Sequence, residues 1–371
     1  MEINERWNEV SQSVGCVRGP EGKRSALATV LAASILGGCA TGPMLSYDSA
    51  APAQVLSTTA AAGIEDGRAR FRQIFCERFE AIGPPENGKP SCGDYLHRLV
   101  DEPATSSKPE RGPLPTAAVR FVIVPGFMGD TLPDGMRTLG LSIDRLASQG
   151  YRIEYLQVSG GGSGAYNAAR IAEFFRERNF PQQDKLVLIG YSKGTLDLLH
   201  FLVDNPELAR KVDALVSYSG AVNGSVLAEV FPEFLVDIAG FLGGSDAGDG
   251  EGFGSLKPSV QMEWLAKHPL PAHVRYFSLA SFTNRDNVSS VMVDGYDRLS
   301  QINPRNDGQL ISYDQILPHS TLLGYMNGDH WAIALPFSEQ APTLAGTLVD
   351  RNVFPRDAML EALLVYLREA L

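Results

Sequence analysis

The sequence predicts an α/β fold in which a mostly parallel sheet is covered by helices on both faces. From residue 119 onward, short apolar runs alternate with segments that repeat their apolar residues at helical spacing. Strands that are apolar along their whole length are typical of a sheet buried on both sides. The chain has 371 residues, 44% of them hydrophobic, which is enough to build a core of that size.

The predicted elements follow one another in a regular order and without an internal repeat. Strands are predicted in the runs VRFVIVPG, YRIEYLQV, KLVLIG, VDALVSYSG, VRYFSLASF and STLLGYM. Helices are predicted in MRTLGLSIDRLASQG, YNAARIAEFFRERN and TLDLLHFLVDN. The glycine-rich run SGGGSG matches no phosphate-binding motif in its register, so we expect a plain turn from strand to helix there.

An insertion at 223–272 separates the last two predicted strands before STLLGYM. Its first part, VLAEVFPEFLVDIAGFL, places its apolar residues on one helical face, and GGSDAGDGEGFG after it predicts a mobile loop. Two interpretations stay open. The insertion is either a helical lid over an apolar cleft or an ordinary helix packed on the sheet.

The N-terminal region contains a basic pair and a short apolar run that ends in a cysteine. Lys23 and Arg24 precede the apolar run ALATVLAASILGGC, which is too short to span a bilayer but fits the core of a signal peptide. Its ending, LGGC, is similar to a lipobox, in which the cysteine is lipidated and becomes the new N-terminus. We therefore expect a signal peptide at 1–38, lipidation of Cys39 and a flexible tether at 39–63. The alternative is a buried helix with an incidental cysteine.

This leader predicts a lipid-anchored protein of the bacterial cell envelope, at the outer membrane or a membrane surface facing the periplasm. In that oxidising compartment Cys76 and Cys92 are expected to form a disulfide. They lie in a small helical segment at 64–116 that ends in a proline-rich linker. Two free buried thiols are the alternative, and the pair has too few neighbouring ligands to hold a metal.

The overall charge excludes one class of partner. The formal net charge is −11, and no run of lysine or arginine occurs anywhere in the chain. Binding to a phosphate backbone needs a basic face, so nucleic acid is not expected as a partner. Nothing in the sequence indicates a catalytic metal or an organic cofactor.

The motif that carries chemistry is GYSKG, at the end of the apolar run KLVLIG and before a helical run. A glycine–x–serine–x–glycine pattern is weak by itself, and its serine fits a tight turn as well as a nucleophile. Between a strand and a helix, however, the sharp turn lifts the serine hydroxyl above the sheet edge. The helix that follows directs its N-terminal dipole at developing negative charge. Ser192 is therefore predicted to be a nucleophile.

With this motif in place, residues 117–371 resemble the α/β-hydrolase superfamily, especially bacterial lipases and esterases. The resemblance implies an oxyanion hole made by two backbone N–H groups. One belongs to Lys193, and the other to Phe127 in the turn VPGFMGD, with Met128 as the less favoured donor. Pro125 stands where a histidine is common in the family, but a backbone donor does not depend on that side chain.

The same resemblance implies the chain order serine, acid, histidine. His330 follows the strand STLLGYM and is expected to open a helix at the edge where Ser192 lies, whereas His319 precedes that strand and is expected at the opposite edge. Asp307 is the favoured acid because NDGQLI resembles the acid-bearing segment of many bacterial lipases. Four other aspartates remain candidates: Asp286, Asp294, Asp297 and Asp314. Asp329 is expected to be a turn or cap residue.

These assignments imply a membrane-tethered serine hydrolase that cleaves small-molecule or lipid esters through an acyl-enzyme. An acyltransferase or a polyester depolymerase would use the same three residues. A non-catalytic binding lipoprotein on this scaffold is a different class of alternative. The side chain of Lys193 has three predicted fates: it selects anionic substrates, it pairs with Asp130 or Asp197, or it points to solvent.

Overall fold

The computed structural model describes residues 63–85, 90–104, 112–127, 129–178, 180–230 and 246–371. The signal peptide, Cys39 and the tether up to residue 62 lie outside the described residues, as do Met128 and residues 231–245 of the insertion. None of the described helices is both long enough and apolar enough to cross a membrane.

Apolar strands and amphipathic helices alternate as the sequence predicts. The strands are β1 Glu65–Asp66, β2 Leu96–His97, β3 Val119–Val124, β4 Arg152–Tyr155, β5 Lys185–Tyr191, β6 Ala214–Tyr218, β7 Arg275–Ser281 and β8 Ser320–Met326. The helices are α1 Arg68–Ile82, α2 Gly140–Ser148, α3 Gly164–Glu177, α4 Lys193–Asp204, α5 Pro206–Ala209, α6 Val226–Val230, α7 Gly252–Ser255, α8 Pro258–Lys267, α9 Val293–Ser300, α10 Phe337–Gln340, α11 Pro342–Ala345 and α12 Arg356–Ala370.

The sheet runs in the order β1-β8-β7-β6-β5-β3-β4, with every one of these neighbours parallel. β2 pairs antiparallel with the end of β8. Because parallel strands share one carboxyl edge, the residues that follow β5, β6, β7 and β8 meet there. This edge is the part of the fold that positions the candidate site.

Alternate residues of each central strand pack on opposite faces of the sheet. Phe121 and Ile123 of β3 join the core that α1, α2 and α12 cover, whereas Val122 and Val124 join the core under α3 and α4. Both faces are therefore buried, which explains why the strands are apolar throughout. The predicted mostly parallel sheet with helices on both faces is confirmed.

The N-terminal segment contributes to the main sheet. Its helix α1 packs on α12, where Arg70 forms a 2.6 Å ion pair with Glu369. Cys76 and Cys92 form the predicted disulfide. The strands β1 and β2 on either side of α1 both pair with β8, although two residues each are too few to give a sequence signal.

The described part of the insertion is held against the glycine-rich turn at 159–164. The Asp130 carboxylate accepts hydrogen bonds from the N–H groups of both Gly160 and Asp246, at 3.0 and 2.8 Å. Ser163 in turn donates to Asp249 through its hydroxyl at 2.6 Å. The predicted mobile loop is thus anchored in its described part, because its backbone finds hydrogen-bond partners on the neighbouring turn.

Candidate active site

Ser192 occupies a sharp turn between β5 and α4, with a φ of 53° that is unusual for a residue other than glycine. Its glycine neighbours make the turn sterically feasible. A Cβ on Gly190 would lie 2.4 Å from the Cα of Thr195, and one on Gly194 would lie 2.4 Å from the carbonyl oxygen of Val124. The strand, turn and helix expected for a nucleophile elbow are therefore present.

The three residues predicted to act together form a continuous chain of hydrogen bonds. The Oγ of Ser192 lies 2.9 Å from His330 Nε2, and His330 Nδ1 lies 2.8 Å from Asp307 Oδ2. His330 and Asp307 are fully buried, and Ser192 is 8% exposed. Such a chain lets the imidazole take a proton from the hydroxyl while the carboxylate fixes its tautomer and orientation.

His330 lies in a series of turns after β8, so the predicted helix at this residue is wrong. Its backbone N–H donates to the carbonyl of Asp307 at 2.8 Å, and its carbonyl accepts from the hydroxyl of Tyr191 at 2.6 Å. Asp329 accepts from the N–H groups of Trp331 and Ala332, which confirms it as a turn residue. The position of the imidazole is thus fixed by the backbone on both sides.

Asp307 is held as a carboxylate. Burial raises its pKa, but the charge and hydrogen bond of His330, with further bonds from Ser281 and the N–H of Leu310, outweigh burial and leave the pKa below its ordinary value. Its Oδ1 accepts from the N–H groups of Gln309 and Leu310 at 3.0 and 2.8 Å.

The other candidate residues have different partners. Asp297 pairs with Arg285, Asp294 with Arg298, and Asp314 accepts from Asn223. Asp286 is exposed. His319 is exposed and precedes β8, at the edge of the sheet opposite Ser192, as predicted.

Both predicted oxyanion donors lie beside Ser192. Lys193 begins α4, where backbone N–H groups have no partner within the helix. Phe127 lines the same cavity as Ser192, and its neighbour Gly126 is so close that an added Cβ would lie 2.7 Å from the Cβ of Ser192. Neither N–H donates to an acceptor among the residues that the structure describes.

The cavity at Ser192 and His330 has a volume of about 40 Å³ and a mostly apolar lining. Its apolar wall residues come from loops above the carboxyl edge of the sheet and from the insertion. They are Phe127, Leu132, Leu256, Leu310, Trp331 and Leu335. The ring of Phe127 also packs on Phe253 of the insertion, with 4.6 Å between ring centroids. Because one water needs roughly 10–15 Å³ of such space, the cavity has room for a small apolar group.

The side chain of Lys193 turns away from this cavity. Its Nζ lies 2.6 Å from the Oδ1 of Asp197, which also accepts from Asn167 at 2.9 Å. Of the three predicted roles of the Lys193 side chain, the structure shows the ion pair with Asp197. Burial, opposed by Lys193 and Asn167, raises the pKa of Asp197 to about 6.

Three polar residues around Asp307 have no counterpart in the sequence prediction. Ser219 follows β6, Ser281 ends β7, and Gln315 follows them in a 3-10 turn; all three lie within hydrogen-bond distance of Asp307 Oδ2. The only sequence signal for them was the presence of serines at the carboxyl ends of two central strands.

In the described part of the chain, no cluster of three or more His, Cys, Asp or Glu side chains is placed to hold a metal ion.

The sequence matches no protein-family model and no curated protein. Among solved structures, the chain is similar to the metagenomic carboxyl esterase MGS0156, at 36% identity over 84% of this chain and 95% of that one, with a TM-score of 0.74. The mature lipase BlEst2 of Bacillus licheniformis is 21% identical over 61% of this chain and 89% of its own, with a TM-score of 0.47. Lipase 1 of Pelosinus fermentans is 12% identical over 69% and 99%, with a TM-score of 0.49.

The chain belongs to the α/β-hydrolase superfamily, in the same family as the metagenomic carboxyl esterase. Within that superfamily it is a serine ester hydrolase. The alternative of a non-catalytic binding lipoprotein is therefore set aside.

Proposed function

We propose that the chain hydrolyses carboxylic esters of small apolar acyl groups, with Ser192 as nucleophile, His330 as general base and Asp307 as the orienting acid. The observation that supports this most is the unbroken hydrogen-bond chain from Asp307 through His330 to Ser192, which ends at an apolar cavity. The similar carboxyl esterase supports the ester as substrate class.

The reaction follows from this geometry. The Ser192 oxygen attacks the ester carbonyl carbon as its proton passes to His330 Nε2, and Asp307 stabilises the imidazolium. The N–H groups of Phe127 and Lys193 hold the developing oxyanion. The imidazolium then gives its proton to the departing alkoxide, which leaves as the alcohol. Water attacks the acyl-enzyme, passes a proton to the imidazole, and releases the acid as Ser192 regains that proton.

The test compares three variants on p-nitrophenyl butyrate. Ser192→Ala and His330→Ala should each lower kcat by about 10⁴-fold or more, and Asp307→Asn should cost less than either because the imidazole remains present. Ser192→Ala should also lose reaction with a fluorophosphonate probe.

His319→Ala is the matched control, since it removes an exposed histidine at the other edge of the sheet. Full activity in Ser192→Ala would refute the proposal. Full activity in Asp307→Asn alone would show that Asp307 is not the orienting acid.

We also propose that the protein is anchored to a bacterial envelope membrane through lipidated Cys39, on the strength of the leader that ends in LGGC. Mass spectrometry of the N-terminal peptide from membrane fractions should find a diacylglyceryl group on Cys39. Cys39→Ser should release the protein into the soluble fraction, whereas Cys16→Ser should not. Unmodified Cys39 in a membrane-free protein would contradict the proposal.

A further inference from the structure

Two serines with positive φ stand side by side at the carboxyl edge of the sheet. Ser192 follows β5 and Ser219 follows β6, with φ angles of 53° and 47°. This backbone region is unfavourable for a residue with a Cβ and is open to glycine. Ser219 therefore adopts a backbone conformation that glycine would favour, and its hydroxymethyl group is what distinguishes it from the glycine that would fit there.

That hydroxyl is fully buried and faces Asp307 and His330. The Ser219 Oγ lies 2.9 Å from Asp307 Oδ2 and 3.4 Å from His330 Nδ1. It also lies 2.6 Å from the Oγ of Ser281, which is itself 2.6 Å from Asp307 Oδ2. Each hydroxyl has one proton, and each serine can donate it to Asp307 Oδ2, the oxygen that also accepts the imidazole N–H.

The backbone of Ser219 holds the nucleophile as well. Its carbonyl accepts from the N–H of Ser192 at 3.2 Å, and its own N–H donates to the carbonyl of Leu279 on β7 at 2.8 Å. One residue thus contacts the turn that carries the nucleophile and the carboxylate that orients the base.

We propose that Ser219 is a positioning residue for the hydrolysis reaction, which fixes the Asp307 carboxylate through its hydroxyl while its backbone holds the Ser192 turn. This inference rests on the proposed role of Asp307. Ser219 is not among the residues that line the cavity, so its hydroxyl acts on kcat through the orientation of His330 and leaves substrate binding unchanged.

The deciding variants are Ser219→Gly, in which glycine adopts the φ of 47° without strain but the whole hydroxymethyl group is lost, and Ser219→Ala, which removes only the hydroxyl. We expect kcat for p-nitrophenyl butyrate to fall about 10- to 100-fold with KM unchanged, since the lost hydrogen bond is made to a charged group. Ser219→Ala should show the same loss in kcat. The urea midpoint of Ser219→Gly should be no lower than that of the control below, which separates lost orientation from lost folding.

Ser278→Ala is the matched control. Ser278 is a fully buried serine on β7 whose hydroxyl contacts Ser320 at 2.9 Å and accepts from the N–H of Leu317, away from Asp307. Its kcat should stay within about twofold of the wild type. If Ser192→Ala abolishes activity but Ser219→Gly matches Ser278→Ala, the positioning role is wrong and the proposed function stands. If Ser192→Ala stays active, the proposed function itself fails.

Discussion

The Lys193 ammonium and the Asp197 carboxylate lie 2.6 Å apart, and each side chain is only 1% exposed. A cation next to the nucleophile in sequence is thus neutralised one helical turn further on. Asp197 also accepts from Asn167, whose amide bonds the backbone of Ser159 in both directions, at 2.9 and 3.0 Å. The side chain of Lys193 belongs to the scaffold, whereas its backbone N–H is the donor proposed for the oxyanion hole.

Lys193 should not make the enzyme prefer anionic over neutral substrates. We expect Lys193→Gln to change kcat/KM for a neutral ester and for its carboxylate-bearing analogue by the same factor, because the ammonium is paired and turned away from the cavity. The measurement is the ratio of the two kcat/KM values in the variant and the wild type. A drop of about tenfold or more in relative rate for the anionic ester alone would show that the cation reaches the substrate.

Breaking the buried pair should be costly for stability. Asp197→Asn leaves the Lys193 cation buried without a counter-charge, which should lower the free energy of unfolding by about 3–5 kcal/mol. Lys193→Met combined with Asp197→Asn should recover a large part of that loss, since no charge remains. Urea denaturation measures both.

An exposed ion pair with the same sequence spacing serves as the control. Lys267 and Glu263 are also four residues apart on one helix, but both are 65% exposed. Glu263→Gln should therefore lower the free energy of unfolding far less than Asp197→Asn does, because solvent screens the exposed pair. Equal losses in Asp197→Asn and Glu263→Gln would contradict the buried-pair argument.

The insertion should set the acyl chain length. Leu256 lines the cavity from the insertion, so Leu256→Ala lengthens the space for an acyl chain. The kcat/KM ratio of octanoate to butyrate ester should rise about tenfold or more, because even one further methylene that enters an apolar pocket contributes about 1–3 kcal/mol. Leu265→Ala on α8, outside the cavity lining, is the control and should leave the ratio unchanged. An unchanged ratio in both variants would show that cavity residues other than Leu256 limit the acyl chain length.

Asp314 should make stability depend on pH. Burial, opposed by the hydrogen bond from Asn223, raises the pKa of Asp314 from 3.8 to about 7. The folded state therefore binds its proton more tightly than the unfolded state, and this stabilisation is present below pH 3.8 and is lost as the pH rises through about 7.

The variant Asp314→Asn isolates this effect from Asp197 and Asp329, whose pKa values burial also raises, to about 6. Relative to the variant, the wild type should lose up to about 1.4 kcal/mol of unfolding free energy per pH unit between about pH 4 and 7. Urea unfolding across that range gives the two curves. Parallel curves would show that Asp314 titrates with an ordinary pKa.

Much of the site was predictable because chain order and strand ends restrict it. Ser192, Asp307 and His330 each follow a predicted strand, and parallel strands bring such residues to one edge. Asp197 was one of two expected partners for Lys193, and the other, Asp130, instead accepts N–H groups from the glycine turn and the insertion.

Other features have no sequence signal of sufficient strength. The strands β1 and β2 have two residues each, and periodicity needs more. The helix expected at His330 does not extend beyond turns because Pro336 soon follows and has no N–H to continue it, although Asp329 accepts from the N–H groups of Trp331 and Ala332 as a helix cap would. Ser219 was missed because a serine after a strand is common, and only its φ and its contacts distinguish it.

The pairing of β1 and β2 with β8 also matters for how the protein can be shortened. The hydrolase resemblance begins near residue 117, and a chain trimmed to that point would lose both strands together with α1. The edge of β8 would then present unpaired N–H and C=O groups, next to the apolar surface of α12 that α1 covers. Such an open edge is a template for self-association, so trimmed protein should self-associate more than a chain that keeps β1, β2 and α1.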